Sequence, residues 1–223
     1  MAQRQGGATG RRRVRDYLRQ QGAGLHTGPK LDYADPMQDF ARRRATYADL
    51  EAVPPNLVAE LIGGELVTHP RPRLRHSVSY SSLGWVLSGP FQFGRGGPGG
   101  WWILDEPELH LDGDVLVPDI AGWRRERLPE IPDDAFCTLV PDWVCEIVSP
   151  STAKHDRGAK RDIYARHGVR HIWLVDPDAR LLEAFELGAD GRWLLLKTYK
   201  DSDLVDAAPF AAAPFDLKLL WAD

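Results

Sequence analysis

The chain has 223 residues, 43% of them hydrophobic and 27% charged, and a formal net charge of −4. This is ordinary globular composition, long enough for a sizeable core. No run approaches the roughly 20 apolar residues of a membrane span, and no charged-then-apolar secretory signal opens the chain. Its two cysteines, Cys137 and Cys145, are too few for a disulfide framework. A reducing cytoplasm is the expected setting, with Cys145 a small buried hydrophobe inside an apolar run.

In chain order, residues 1–45 are polar and rich in Gly and Arg, without a sustained period. They read as a basic, disordered tail ahead of a single domain over 46–223. Residues 1–19 carry +5, leaving −9 on the remainder. So acidic a body does not suit strong non-specific DNA binding, which draws its affinity from neutralised phosphates. The tail would supply some of that affinity, and an organelle transit peptide fits the same composition. Thr46 reads as the N-cap of a short helix, Tyr47–Ala52, stopped by Pro54-Pro55. Asn56–Leu61 reads as a further helical turn leading to a Gly63-Gly64 hairpin and the strand Glu65–Thr68. Apolar residues at 74, 78, 83, 86 and 87 predict a helix over Leu74–Leu87. Gly94–Gly100 lacks the Gly-Lys-Ser/Thr ending of a phosphate loop and reads as a connector.

Strands are predicted at Trp101–Leu104, Glu108–Leu111, Val115–Trp123 and Trp143–Val148. A helix over Lys154–His167 closes at Gly168. A strand over His171–Val175 turns at Asp176-Pro177. Leu181–Leu187 and Trp193–Tyr199 form a hairpin, and Pro214–Trp221 is a short helix docking Leu217, Leu220 and Trp221. This order predicts a mixed sheet flanked by helices, with an N-terminal helical part and a C-terminal hairpin added to it.

Two carboxylates stand out. Alternation over Trp143–Val148 sets Val144, Glu146 and Val148 on one face and Trp143, Cys145 and Ile147 on the other. Glu146 therefore has apolar neighbours on both sides, and so does Asp119 within Leu116–Ala121. Ionised carboxylates in such runs need a cation, either a metal or an Arg or Lys. Asp156, Lys160 and Tyr164 follow at spacings of four on one helix face. A lysine there can reach back over the end of the Glu146 strand. Hard oxygen ligands suit Mg²⁺ or Mn²⁺, and a nearby lysine supplies the positive charge that phosphodiester hydrolysis needs.

Several segments together carry a resemblance: Pro118-Asp119; Glu146-Ile-Val-Ser-Pro-Ser-Thr; Asp156, Lys160 and Tyr164 with Gly168-Val169; and Trp173-Leu-Val-Asp176-Pro177. Upstream, Glu60-Leu-Ile-Gly-Gly64-Glu-Leu-Val and His76 match as well. From about Thr46 to Trp221 the chain resembles the Uma-two family, which is grouped with the restriction-endonuclease-like PD-(D/E)XK nucleases. The resemblance implies an α/β fold with a restriction-endonuclease-like core, a central mixed β-sheet with helices on both sides. It also implies a DNA endonuclease using Mg²⁺ or Mn²⁺ and no organic cofactor, with Asp119 and Glu146 as metal ligands. The superfamily signature carries its lysine two residues after the Glu on the same strand. Here that position is Val148, and the lysine is implied to lie on the helix, at Lys160. Glu60 and Glu108 are further candidate carboxylates. A homodimer is expected by analogy with duplex-cutting relatives.

Other readings stand beside these. Asp119 and Glu146 also fit a structural ion pair, Lys160 a solvated lysine paired with Asp156, and Tyr164 core packing with one polar handle. Asp156 fits a positioning partner or a helix-start acid. Ser149 and Ser151 read as turn and cap residues, His76 as a surface or capping residue, and His167 and His171 as no zinc pair. The eight tryptophans read as core or interface residues. A catalytically silent nuclease-fold module that binds nucleic acid or a protein remains the alternative function.

Overall fold

The apolar run Trp143–Ile147 (β8) is buried from end to end and forms the axis of the domain. The computed structural model describes residues 43–222, so the first 42 residues of the expected tail lie outside them. Arg43 and Ala45 are tied to the domain: the guanidinium of Arg43 pairs with Asp49, and the Ala45 N–H donates to the Gly64 carbonyl. Helix α1 (Tyr47–Glu51) follows, and at its start the Asp49 carboxylate accepts from both the hydroxyl and the backbone N–H of Thr46. Thr46 thus stands at the N-cap expected of it, held there by the acid three residues on.

Residues 56–61, expected to be helical, are instead strand β1 (Leu57–Ile62), paired antiparallel with β2 (Glu65–Pro70). Gly63 and Gly64 both have positive φ, the conformation that a two-residue hairpin turn demands. Pairing with β2 and, through Leu61, with Val115 satisfies the backbone in extended form. The strand signal is weak because Glu60, Leu61 and Ile62 are buried in succession, which erases the strand period.

Two larger sheets are present among the described residues. β1 and β2 join β4 (Glu108–Leu111), β5 (Asp114–Leu116) and β7 (Phe136–Cys137) in the order β2-β1-β5-β4-β7. The second is mixed and runs β11-β10-β9-β8-β6-β3, where only β8 and β9 are parallel. Its remaining strands are β3 (Trp101–Asp105), β6 (Ile120–Arg124), β9 (His171–Asp176), β10 (Leu181–Leu187) and β11 (Trp193–Lys200). The expected C-terminal hairpin, β10–β11, is thus an edge of the main sheet rather than an addition to it. The segment 115–123, read as one strand, is two. Pro118 cannot donate to a ladder, and the chain crosses there from β5 in one sheet to β6 in the other. A short pair, β12 (Leu204–Val205) and β13 (Phe215–Asp216), closes the chain before a 3₁₀ turn over Leu217–Leu220.

The alternation predicted for β8 sorts its side chains between two cores. Trp143, Cys145 and Ile147 meet Leu83 and Leu87 of helix α2 (Leu74–Leu87) and the C-terminal Leu217 and Leu220. Val144 and Val148 face Ile163 and Tyr164 of helix α4 (Ala159–Arg166), together with Leu109, Leu111 and Leu116 of the smaller sheet. The main sheet therefore has helices on both faces. The helix expected over 154–167 is broken into α3 (Ala153–Asp156) and α4, joined through Arg157 and Gly158. Both cysteines are free and buried, and no helix among the described residues is long and apolar enough to cross a membrane.

Candidate active site

Register alone brings the two principal carboxylates together. Ile120 of β6 lies opposite Cys145 of β8 in an antiparallel pair, so Asp119, one residue before, and Glu146, one residue after, meet at the same end of the sheet. Asp119 is held by main chain: its Oδ2 accepts from the Ile147 N–H at 2.6 Å. Glu146 is 2% exposed, and its Oε1 accepts from the Tyr164 hydroxyl at 2.6 Å and lies 2.9 Å from the Lys160 ammonium.

Lys160 is 2% exposed and packed among acids, not solvated. Its Nζ also lies 3.0 Å from Glu60 Oε1 and 3.8 Å from Asp156 Oδ1, the latter four residues back across the helix break. Val148, where the superfamily lysine would stand, lies in an apolar core, and its N–H bonds to the Val175 carbonyl. The break at Gly158 sets the helix start from which Lys160 reaches β8. Glu60 comes from the other sheet: its Oε1 also accepts from the Val117 N–H at 2.8 Å, and its Oε2 is 3.5 Å from His69 Nε2. His69 lies diagonally across the β1–β2 pair, where long side chains on one face meet.

Six of the seven sequence candidates, Asp119, Glu146, Lys160, Glu60, Asp156 and Tyr164, thus form one cluster. Glu108 does not join it. Its carboxylate accepts from the Tyr47 hydroxyl at 2.9 Å and pairs with His110 at 2.7 Å, beside a second cavity. Three residues of the site had drawn no attention or a different reading. His69 becomes visible only once residues 57–62 are known to be a strand. Glu106 lines the same cavity as Asp119. His76, expected at the surface, is half-buried with Nε2 3.4 Å from Asp119 Oδ1, and its buried Nδ1 has no partner. Ser149 keeps the expected turn role, bonding Thr152 through both its N–H and its hydroxyl.

The cavity above the cluster holds about 640 Å³. Asp119, Glu146, Asp156 and Lys160 line it, while Glu60 and Tyr164 brace them from behind. Three carboxylates, Glu60, Glu146 and Asp156, share one ammonium with Asp119 on the same cavity wall, and their proton affinities show the strain of that arrangement. Burial pushes Glu60 up, but Lys160, His69 and the Val117 N–H outweigh it and bring its carboxyl to about 2. Burial raises Asp119 to about 7, against the bond from Ile147 and with the help of nearby Asp156 and Glu106. Burial also raises Glu146 and Asp156. Burial disfavours the Lys160 ammonium, yet Glu146 and Glu60 hold it firmly protonated. The His69 imidazole is raised by its bond to Glu60, and His76 is lowered by burial.

Hard carboxylate oxygens in excess of the positive charge are the donor set of a Mg²⁺ or Mn²⁺ site. Asp119 and Glu146 supply oxygen donors of the kind such an ion takes. Among the described residues no three His, Cys, Asp or Glu side chains are already arranged around one point. In the arrangement seen, Glu146 Oε1 and Asp119 Oδ2 are engaged by donors of the protein itself.

The mixed sheet with helices on both faces agrees with a restriction-endonuclease-like fold. Residues 44–218 match the model of the Uma2 family, described as "Putative restriction endonuclease", and the chain belongs to that family. Among solved structures, the fold is similar to that of a putative nuclease belonging to DUF820 from Anabaena variabilis. The TM-score is 0.64 at 21% identity, over 79% of this chain and 97% of that one. A comparison with curated proteins returned no match.

Proposed function

We propose that this chain is a Mg²⁺- or Mn²⁺-dependent endonuclease that hydrolyses DNA phosphodiester bonds. The observation that carries the reading is the ammonium of Lys160, within 3.0 Å of both Glu146 Oε1 and Glu60 Oε1 on a cavity wall shared with Asp119. Asp119 and Glu146 would hold the ion, which would lower the pKa of a bound water and offset charge on the phosphate. Lys160, kept protonated by its acidic neighbours, stabilises the transition-state oxygens or orients the attacking water. Glu60 and Asp156 aim the lysine, and the Tyr164 hydroxyl fixes Glu146.

Purified full-length protein with Mn²⁺ is expected to nick DNA. Glu146→Gln, checked for folding by its melting curve, is expected to lose at least 100-fold in rate. Equal cleavage by this variant would trace the activity to a contaminant and sink the reading. The engagement of Glu146 Oε1 by two donors favours a second reading, a catalytically silent module that binds nucleic acid or a protein partner. Calorimetric titration separates the two: binding of Mn²⁺ that Asp119→Ala abolishes fits the enzyme, and no binding at about millimolar Mn²⁺ fits the module.

A further inference from the structure

We infer that the site takes an unpaired strand of DNA, with Arg73 and Arg75 holding the phosphates that flank the one presented to Lys160. The inference rests on the nuclease reading of the same cavity. Three observations carry it.

The first is depth. Glu146 and Lys160 are each 2% exposed, and Asp119 keeps 17% of its side chain open. A phosphate must therefore enter the cavity to meet them. A volume of about 640 Å³ suits a small molecule or a nucleotide unit. It does not suit a duplex, whose two strands and stacked pairs move as one stiff body.

The second is the lining. Val58 of β1 faces the cavity together with Pro72 and Leu74 from the turn into α2, and Val148, Pro150 and Pro177 face it from the loops after β8 and β9. The backbone of a duplex offers sugar and phosphate to an enzyme and keeps its base faces stacked. Apolar walls beside a phosphate site suit a base that is out of the stack.

The third is charge. The body outside residues 1–19 carries −9. Arg71 and Arg73, on the segment that joins β2 to α2, and Arg75, in the first turn of α2, nevertheless stand exposed along the rim. The Arg71 guanidinium donates to the Pro55 carbonyl. Arg73 and Arg75 have no acidic partner among the described residues. Two cations at the mouth of an acidic cavity suit a polyanion whose neighbouring phosphates stay outside while one goes in.

Fluorescence anisotropy with a labelled single-stranded 20-mer and its duplex, using the full chain without metal, tests this. Single strand is expected to bind at least tenfold more tightly. Arg73→Ala with Arg75→Ala is expected to weaken that binding about tenfold or more and to flatten the plot of log K against log salt by roughly 1.4. Equal or tighter binding of duplex, or an unchanged affinity and salt slope in the double variant, overturns the inference. Its failure is separable from that of the nuclease reading. Strand-selective, arginine-dependent binding without cleavage upholds the inference and removes the nuclease. Equal cleavage of both substrates with no arginine dependence does the reverse. Glu146→Gln is expected to keep the preference for single strand. Both arginines are exposed, so unchanged melting of the double variant confirms that folding is not what the experiment reads.

Discussion

Single residues at this site owe their behaviour to where strands end. Asp119 sits at the corner where the chain leaves one sheet for the other, so its carboxylate is partly open yet surrounded by protein. Its pKa is raised from 3.8 to about 7, so the folded chain holds this proton more tightly than the unfolded one. The resulting stability is fully present below about pH 4 and is lost as pH rises through about 7. A divalent ion competes with the same proton. The gain in melting temperature on adding Mn²⁺ is therefore expected to grow from about pH 6 to about pH 8 and then level off. At a concentration near 100 times Kd, it should amount to roughly 5–10 °C. Asp119→Asn should remove the pH dependence. A gain of the same size across that range would show that no proton leaves when the ion binds. The sequence made Asp119 and Glu146 legible because a carboxylate inside an apolar run requires compensation. The same argument misled at Glu108, whose compensation is local: Tyr47 and His110 satisfy it away from the cluster.

At the scale of elements, a break in regular structure determines what reaches the site. Spacings of four placed Asp156, Lys160 and Tyr164 on one helix face. The structure keeps Lys160 and Tyr164 on α4 and moves Asp156 to α3, across the break at Gly158. A Cβ at Gly158 would stand 2.7 Å from the backbone carbonyl of Lys154, so any side chain there forces the two short helices apart. Gly158→Ala is expected to cost about 1–3 kcal/mol in a urea titration. It should also lower the metal-dependent nicking rate more than tenfold by shifting Lys160. A variant with full stability and full rate would show that the break is not what aims the lysine. The break was illegible because one glycine in a helical pattern is usually tolerated. Strand β1 was illegible for a related reason: three successive buried residues carry no period. Leu74–Leu87 was legible from its apolar spacing, and Trp143–Ile147 as a short apolar run rich in β-formers that Ser149-Pro150 ends.

At the scale of the molecule, the site belongs to both sheets. Glu60 arrives from the smaller sheet, Asp119 and Glu146 from the main one, and Lys160 and Tyr164 from the helix between them. The fold class was legible from the order of the elements, but the division into two sheets at Pro118 was not, because the apolar run continues across it. The distribution of tryptophans gives the molecule an optical property. Trp101, Trp123, Trp143, Trp173 and Trp221 are buried, whereas Trp85 on α2 is 76% exposed. Trp143 stands three residues before Glu146 on β8 and meets Trp173 edge-on, with ring centroids 5.3 Å apart. The fluorescence of the native protein should therefore divide into a blue, iodide-resistant part from the core and a red, quenchable part from Trp85. In Trp85→Phe the quenchable part should fall to what the partly buried Trp102 and Trp193 contribute while the melting temperature stays put; an unchanged quenchable part would show that Trp85 is not its main source. With that one ring removed, the remaining emission comes mainly from rings packed in and around the main sheet, Trp143 of the Glu146 strand among them, and is readable during a titration without any attached dye.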